Sequence, residues 1–304
     1  MSVVGRSNQS ISTPQTSVEG QGQSAHRRTT APNGGTFAMC LILFAYNAHP
    51  GYRLILAANR DEFHDRPASP LDFWEDHPQI LAGRDLRQSG TWMGVTRDGK
   101  IAAITNYREP GNHNPAAPSR GQIISDFLGG SDGAGTYVDK IKKTADQFNG
   151  FNLLIGDLSA LYYYSNRGGP PAAVERGIHG LSNRLLDTPW PKISTGRQHL
   201  AAIIDSNEGV QSEKLMALLQ RQERPPDDQL PETGVGYAKE KMLSPIFITS
   251  PDYGTRCSTI LTIDQYRHLT MTEITWKSGR STPIQQCKKI FSFTIEDRRN
   301  SNQD

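Results

Sequence analysis

The 304-residue chain is short of the features by which most ligand and partner classes announce themselves. Cysteine is scarce: Cys40, Cys257 and Cys287 are an odd number at wide spacing, which suggests neither a disulfide framework nor a zinc knuckle. Cys257 and Cys287 read as small hydrophobes in strands. Net charge is nearly absent, with 33 basic against 31 acidic residues, and no dense lysine or arginine run offers a handle for nucleic acid or an anionic membrane. No apolar run approaches the ~20 residues that a membrane-spanning helix requires. Glycine-rich phosphate loops, the H-E-x-x-H zinc motif and the G-x-S-x-G nucleophile elbow are all missing. The nearest approach to a metal cluster is Asp61-Glu62-Phe63-His64-Asp65, which has one histidine at no ligand spacing, so no metal is expected there. These absences point to a small-molecule partner and to a cytoplasmic protein of a reducing compartment.

Residues 1–38 are rich in Ser, Thr, Gln, Gly and Asn and poor in large apolar groups, so they cannot offset their ordering entropy and are expected to form a disordered leader. Arg27-Arg28 has the outline of a twin-arginine signal and Phe37-Ala38-Met39-Cys40 that of a lipobox. The apolar residues, however, follow Cys40 instead of preceding it. The abrupt change of pattern at Met39 reads better as a start or a processing point, and loss of Met39 would make Cys40 N-terminal. One domain is expected over residues 39–296, followed by a polar tail over 297–304.

The domain is organised around its first stretch. The apolar run Cys40 to Tyr46, the turn residues Asn47-Ala48-His49-Pro50-Gly51 and the apolar run Tyr52 to Ala58 predict a β-hairpin. Folding it about His49-Pro50 makes paired residue numbers sum to about 99. Cys40 then lies opposite Asn59 and next to Arg60 and Asp61; a slip of one residue exchanges Asn59 and Arg60 as its same-face neighbour.

Downstream, Ile80 to Asp85 follows a loop of Pro, His and Asp residues, and a second hairpin is predicted from Thr91–Val95 and Lys100–Thr105 around Arg97-Asp98-Gly99. Helical spacing covers 119–128, 136–148, 192–204 and 212–219, and a polar, proline-rich insertion spans 224–233. Strands are expected at 151–156, 160–165, 245–249, 257–264, 269–276 and 289–296. Strand runs, then helices, then strand runs predict an α+β fold with antiparallel sheets and helices outside.

Cys40 is the residue with the clearest chemistry. A thiolate attacks carbonyl carbon, and the α-amino group of an N-terminal cysteine, with a reference pKa near ~8, can act as its base without a histidine. A neighbouring arginine favours the thiolate. Asp61 is placed to orient the amine, and amides such as Asn106 and Asn183, at the ends of a predicted strand and turn, can donate to an oxyanion. Each asparagine reads equally as a turn cap.

The segments Met39-Cys40-Leu41-Ile42, Asn59-Arg60-Asp61-Glu62-Phe63, Arg66-Pro67, Gly83-Arg84-Asp85, Gly90-Thr91-Trp92, Gly180-Leu181-Ser182-Asn183 and Tyr253-Gly254-Thr255-Arg256 together resemble the transport and Golgi organisation family, also called the NRDE family. That family is in turn similar to cysteine N-terminal nucleophile (Ntn) hydrolases such as penicillin V acylases and bile salt hydrolases. The resemblance implies a four-layer αββα sandwich and cleavage of a linear amide or a related acyl transfer. It implies Cys40 as nucleophile, Arg60 and Asp61 as the charged pair, Asn183 as the oxyanion amide and Arg256 as a late arginine, with Asn59, Asn106 and Trp92 as weaker members of the site. No cofactor is implied for such an enzyme. The rival reading is a non-catalytic haem- or lipid-binding protein of trafficking, since eukaryotic family members are associated with haem movement, lipid metabolism and secretory-pathway organisation; Cys40 or a nearby histidine would then be the haem ligand. A third reading keeps Asn59 to Glu62 as a structural charge knot.

Overall fold

Long strands with apolar residues at both odd and even positions must be covered on both faces. The computed structural model describes residues 39–207, 209–277 and 282–296, and in it this requirement decides the architecture. The expected leader and tail lie outside the described residues. In chain order the elements are β1 (Met39–His49), β2 (Tyr52–Phe63), β3 (Ala68–Phe73), β4 (Ile80–Asp85), β5 (Met93–Thr96), β6 (Ile101–Asn106), α1 (Arg120–Gly129), α2 (Ala134–Thr144), β7 (Phe151–Gly156), β8 (Leu161–Ser165) and β9 (Ala172–Ala173). Then come β10 (Gly177–Leu181), α3 (Pro191–Ile204), α4 (Ser212–Leu219), α5 (Tyr237–Leu243), β11 (Tyr253–Asp264), β12 (His268–Trp276) and β13 (Gln285–Thr294).

Two antiparallel sheets result, one of six strands in the order β10-β1-β2-β11-β12-β13 and one of seven in the order β3 through β9. Because strand side chains alternate, Ile42, Phe44, Leu54 and Leu56 of the six-stranded sheet meet Leu81, Met93, Val95 and Leu154 of the other in a central core. The intervening residues Leu41, Leu43, Ile55 and Ala57 pack outward on Ile193 and Leu200 of α3 and Leu215 and Leu219 of α4. On the opposite side Ile80, Ala102, Ile104, Leu153 and Ile155 pack under α1 and α2 through Ile124, Phe127, Tyr137 and Val138. The fold is therefore α+β, a four-layer αββα sandwich with antiparallel sheets. Each fully buried Leu, Ile or Phe contributes about 1.5–3 kcal/mol.

Several sequence expectations need correction. Within β1–β2, Met39 pairs with Asp61, Cys40 with Arg60 and Ile42 with Ala58, one residue away from the expected register. The cause is an irregularity between Tyr46 and His49, where Asn47 takes a left-handed conformation with φ of 48°. The apolar stretch 245–249 is not a strand. Ile246, Phe247 and Ile248 are buried in irregular backbone, tied to the sheet by the isolated bridge Thr249–Gly254 and by single bonds such as the Thr255 N–H to the Ile248 carbonyl, without forming a ladder. The second helix ends at Thr144, short of Phe148, β3 arises in a stretch read as loop, and α5 in one given no element.

Candidate active site

Three neighbouring strands begin or end at the same edge of the six-stranded sheet. The register places Cys40 of β1 opposite Arg60 of β2, and Arg60 opposite Cys257 of β11, in one row on the inward face. Cys40, only 6% exposed, lies on the wall of a cavity of about 330 Å³ between the sheets. Two strand spacings separate the cysteines, roughly 9.5 Å, beyond the ~7 Å that a disulfide can bridge. All three cysteines are free. Burial, and then the Asp61 carboxylate, push the Cys40 thiol up to about 12, against the pull of the Arg60 guanidinium and of the Asp61 backbone N–H. With Met39 attached, the thiol is protonated at neutral pH.

The outward face of the same strand ends is sealed by helices and loops. There Asp61 stands between Met39 and Thr255. The Thr255 hydroxyl donates to Asp61 Oδ1 at 2.6 Å, whereas Asp61 Oδ2 is buried without a hydrogen-bond partner. The Met39 N–H donates to the Tyr253 hydroxyl at 2.8 Å, and Arg108 contacts the Met39 sulfur at 3.4 Å while pairing with Glu240 at 2.5 Å. Burial pushes the Asp61 carboxyl up to about 7, with Lys192 the charge that opposes this most. Lys192 itself donates to the Leu243 carbonyl at 3.1 Å.

The cavity wall carries more charge than the hairpin alone supplies. Arg60 lies 3.6 Å from both Glu62 and Asp85, and Arg66 lies 2.5 Å from Asp85 and 3.7 Å from Glu62. Glu273 accepts the Leu71 N–H at 2.8 Å. Arg256 donates to the carbonyls of Phe63 at 2.7 Å and Arg66 at 3.0 Å, and its Nε is buried without a partner. Arg120, the first residue of α1, donates to the Gly150 carbonyl at 2.9 Å. Burial pulls Arg120 down to about 10, and the group that pulls it back most strongly is Cys40.

Of the residues singled out from sequence, Cys40, Arg60, Trp92, Asn106 and Arg256 line the cavity together, and Asp61 borders it at the strand end although its place in the ladder is on the outward face. Asn59 does not. The register turns it outward, where its Nδ2 donates to the carbonyls of Leu219 at 2.8 Å and Ile246 at 2.9 Å and its Oδ1 accepts from Ser258 at 2.6 Å. Asn183 is not on the wall either; its Nδ2 donates to the Asn106 carbonyl at 2.8 Å and its Oδ1 accepts from Ser182 at 3.1 Å. It therefore holds the end of β6, from which Asn106 reaches the cavity. Cys257, read as a plain core residue, is on the wall, as are Arg66 and Asp85, whose short motifs were part of the family resemblance. Arg120 was missed; the predicted helix start at Ser119 was its only signal.

Haem would take its axial ligand from a Cys40 thiolate or from His113 on the wall. A wall bearing Arg60, Arg66, Arg120, Arg256, Glu62 and Asp85 does not fit the apolar face of a porphyrin. Among the described residues no cluster of metal-ligating side chains occurs, and no helix is long and apolar enough to cross a membrane.

Known structures similar to the chain include a Caenorhabditis elegans ortholog of N-acylethanolamine-hydrolyzing acid amidase, 13% identical, covering 73% of this chain and 92% of that one with a TM-score of 0.42. A mutant of the conjugated bile acid hydrolase of Clostridium perfringens is 8% identical and covers 85% and 97%, with a TM-score of 0.41. In sequence, the transport and Golgi organization protein 2 homolog of Bos taurus is 37% identical over 255 residues, 77% of this chain and 92% of the relative. The Drosophila melanogaster transport and Golgi organization protein 2 is 27% identical over 251 residues, 74% and 88%. The family model for transport and Golgi organisation 2 matches residues 39–278, and the chain belongs to that family.

Proposed function

We propose that this protein is a cysteine N-terminal nucleophile hydrolase of linear amides or related acyl compounds, activated when loss of the residues through Met39 leaves Cys40 as the N-terminus. The observation that carries the reading is Asp61 Oδ2, a buried carboxylate oxygen with no donor, directly across the ladder from the residue whose removal would create an ammonium. An unsatisfied buried group of this kind costs about 1–3 kcal/mol, more when charged. An α-ammonium at Cys40 supplies both donor and counter-charge.

In the reaction the α-amine takes the thiol proton while the sulfur bonds to the carbonyl carbon. Arg60 and Arg256 stabilise the charge that develops, and Asn106, held by Asn183, offers an amide to the oxyanion. Collapse breaks the C–N bond, and the leaving amine takes the proton back from the ammonium. Water, its proton accepted by the same amine, then cleaves the thioester to release the acid and restore the thiol.

Intact mass of the protein from its native source, before and after brief treatment with iodoacetamide at neutral pH, tests the reading. The expected result is an N-terminus at Cys40 that takes one label faster than the other two cysteines. Turnover of any amide substrate found should fall about 10³-fold or more in Cys40→Ala. An N-terminus that retains Met39 together with an inert Cys40 would overturn the proposal.

A further inference from the structure

The acids of the cavity wall do not pair all of its arginines, because Asp61 is engaged by Thr255 and Glu273 by the Leu71 N–H. Glu62 and Asp85 are each shared between Arg60 and Arg66, and Arg84 is engaged by Asp76 through two contacts of 2.7 Å. Arg120 and Arg256 remain, and neither forms an ion pair among the described residues. Arg256 is fixed by two backbone carbonyls. Arg120 has one carbonyl partner, the Gly150 oxygen, which leaves most of its planar fork of donors uncommitted. Guanidinium groups match carboxylates in geometry and charge, and this one faces a cavity that already holds Cys40.

The start of α1 adds to the same field. Pro118, Ser119, Arg120 and Gly121 all line the cavity. The Ser119 side chain does not cap the helix, donating instead to Gln88 at 3.2 Å, and no acidic residue occupies the first turn. The positive end of the helix dipole is therefore not neutralised by the chain itself.

Volume limits the ligand. A cavity of about 330 Å³ lies at the small end of ligand sites. Ala68, Pro70, Trp92, Ile104, Pro115 and Ala117 give the wall an apolar part beside its arginines.

We propose that Arg120 anchors a carboxylate of the substrate, so that the amide presented to Cys40 is a small acylated amino acid or a compound of that chemistry. The inference rests on the hydrolase reading for its reaction, but the binding it describes needs neither the free amine nor a reactive thiol. Calorimetric titration of the full chain carrying Cys40→Ala with hippurate and with its neutral amide, hippuramide, separates the two. Hippurate should bind about tenfold or more tightly than hippuramide, the gain expected of a charge-assisted pair, with a preference that shrinks as salt is added. Adding Arg120→Gln should bring the two probes within about twofold while leaving hippuramide binding unchanged, and Arg120→Lys should keep part of the preference. Equal binding of the two probes, no binding of either, or a preference that survives Arg120→Gln would overturn the assignment. So would displacement of hippurate by inorganic phosphate at a concentration below that at which hippurate itself saturates. Preference for hippurate in the Cys40→Ala chain, alongside native-source protein that retains Met39 and whose Cys40 is inert to alkylation, would sink the hydrolase reading alone.

Discussion

The two faces of the β2 terminus use polar residues in opposite ways. Outward, Asn59 is fully buried and spends its amide on Leu219, Ile246 and Ser258, tying the end of α4 and the stretch after α5 to the sheet. Inward, Arg60 and Glu62 sit at 3.6 Å from each other on the wall of the cavity, largely buried in a shared network with Asp85 and Arg66. Successive strand residues point to opposite faces, so Asn59-Arg60-Asp61-Glu62 is two interleaved half-motifs, one of scaffold and one of site. Asp61 is the exception on the outward face, a buried acid left half-satisfied beside Met39.

The contrast breaks most directly at Asn59. Asn59→Leu leaves two carbonyls and a hydroxyl buried without their partner and should cost about 3 kcal/mol or more in chemical denaturation, with probe binding in the cavity retained by the folded fraction. A loss below about 1 kcal/mol would show that the outward face is not the scaffold described. At Asp61 the sign depends on pH. Its folded pKa is raised from 3.8 to about 7 by burial, so the stability this group contributes is present below its unfolded pKa and is lost as pH rises through 7. In a chain that retains Met39, Asp61→Asn should therefore stabilise at pH 8 relative to pH 5. In a chain starting at Cys40 the carboxylate gains a cationic partner and the same substitution should destabilise. Unfolding free energies of both forms at the two pH values would sharpen the comparison. The smallest stability effect belongs to the inward face. Arg60→Gln should cost less than Asn59→Leu, about 1–2 kcal/mol, because the largely buried Glu62 and Asp85 keep Arg66 as a partner. It should still slow iodoacetamide labelling of Cys40 by removing the cation that favours the thiolate.

The sequence pattern reveals the hairpin, the second hairpin, four helices and the strand-helix-strand order, because apolar runs of β-branched and aromatic residues are punctuated by Asn, Pro and Gly. The register at Cys40 is not legible, since it turns on a left-handed Asn47 that no local rule demands. Burial was mistaken for pairing at 245–249, where Ile246, Phe247 and Ile248 fill space under the sheet without forming a ladder. The opposite error hid β3: its sequence Ala-Ser-Pro-Leu-Asp-Phe is mostly exposed at a sheet edge and carries only one buried residue, Leu71. Cys40, Arg60 and Asp61 could be grouped because one hairpin brings them together. Arg120 belongs to the same cavity only because the two sheets stack, a contact across 80 residues that periodicity cannot express.

The seat of Met39 has a further consequence. Its side chain is buried against Leu243, Ile248 and Tyr253 on one side of the six-stranded sheet, and the arginine-lined cavity lies on the other. Strand β1 is thus a partition wall, and the event that would arm the thiol and the event that would use it approach from separate rooms. If Cys40 becomes the N-terminus as proposed, a compound filling the cavity should silence the protein without blocking the loss of Met39.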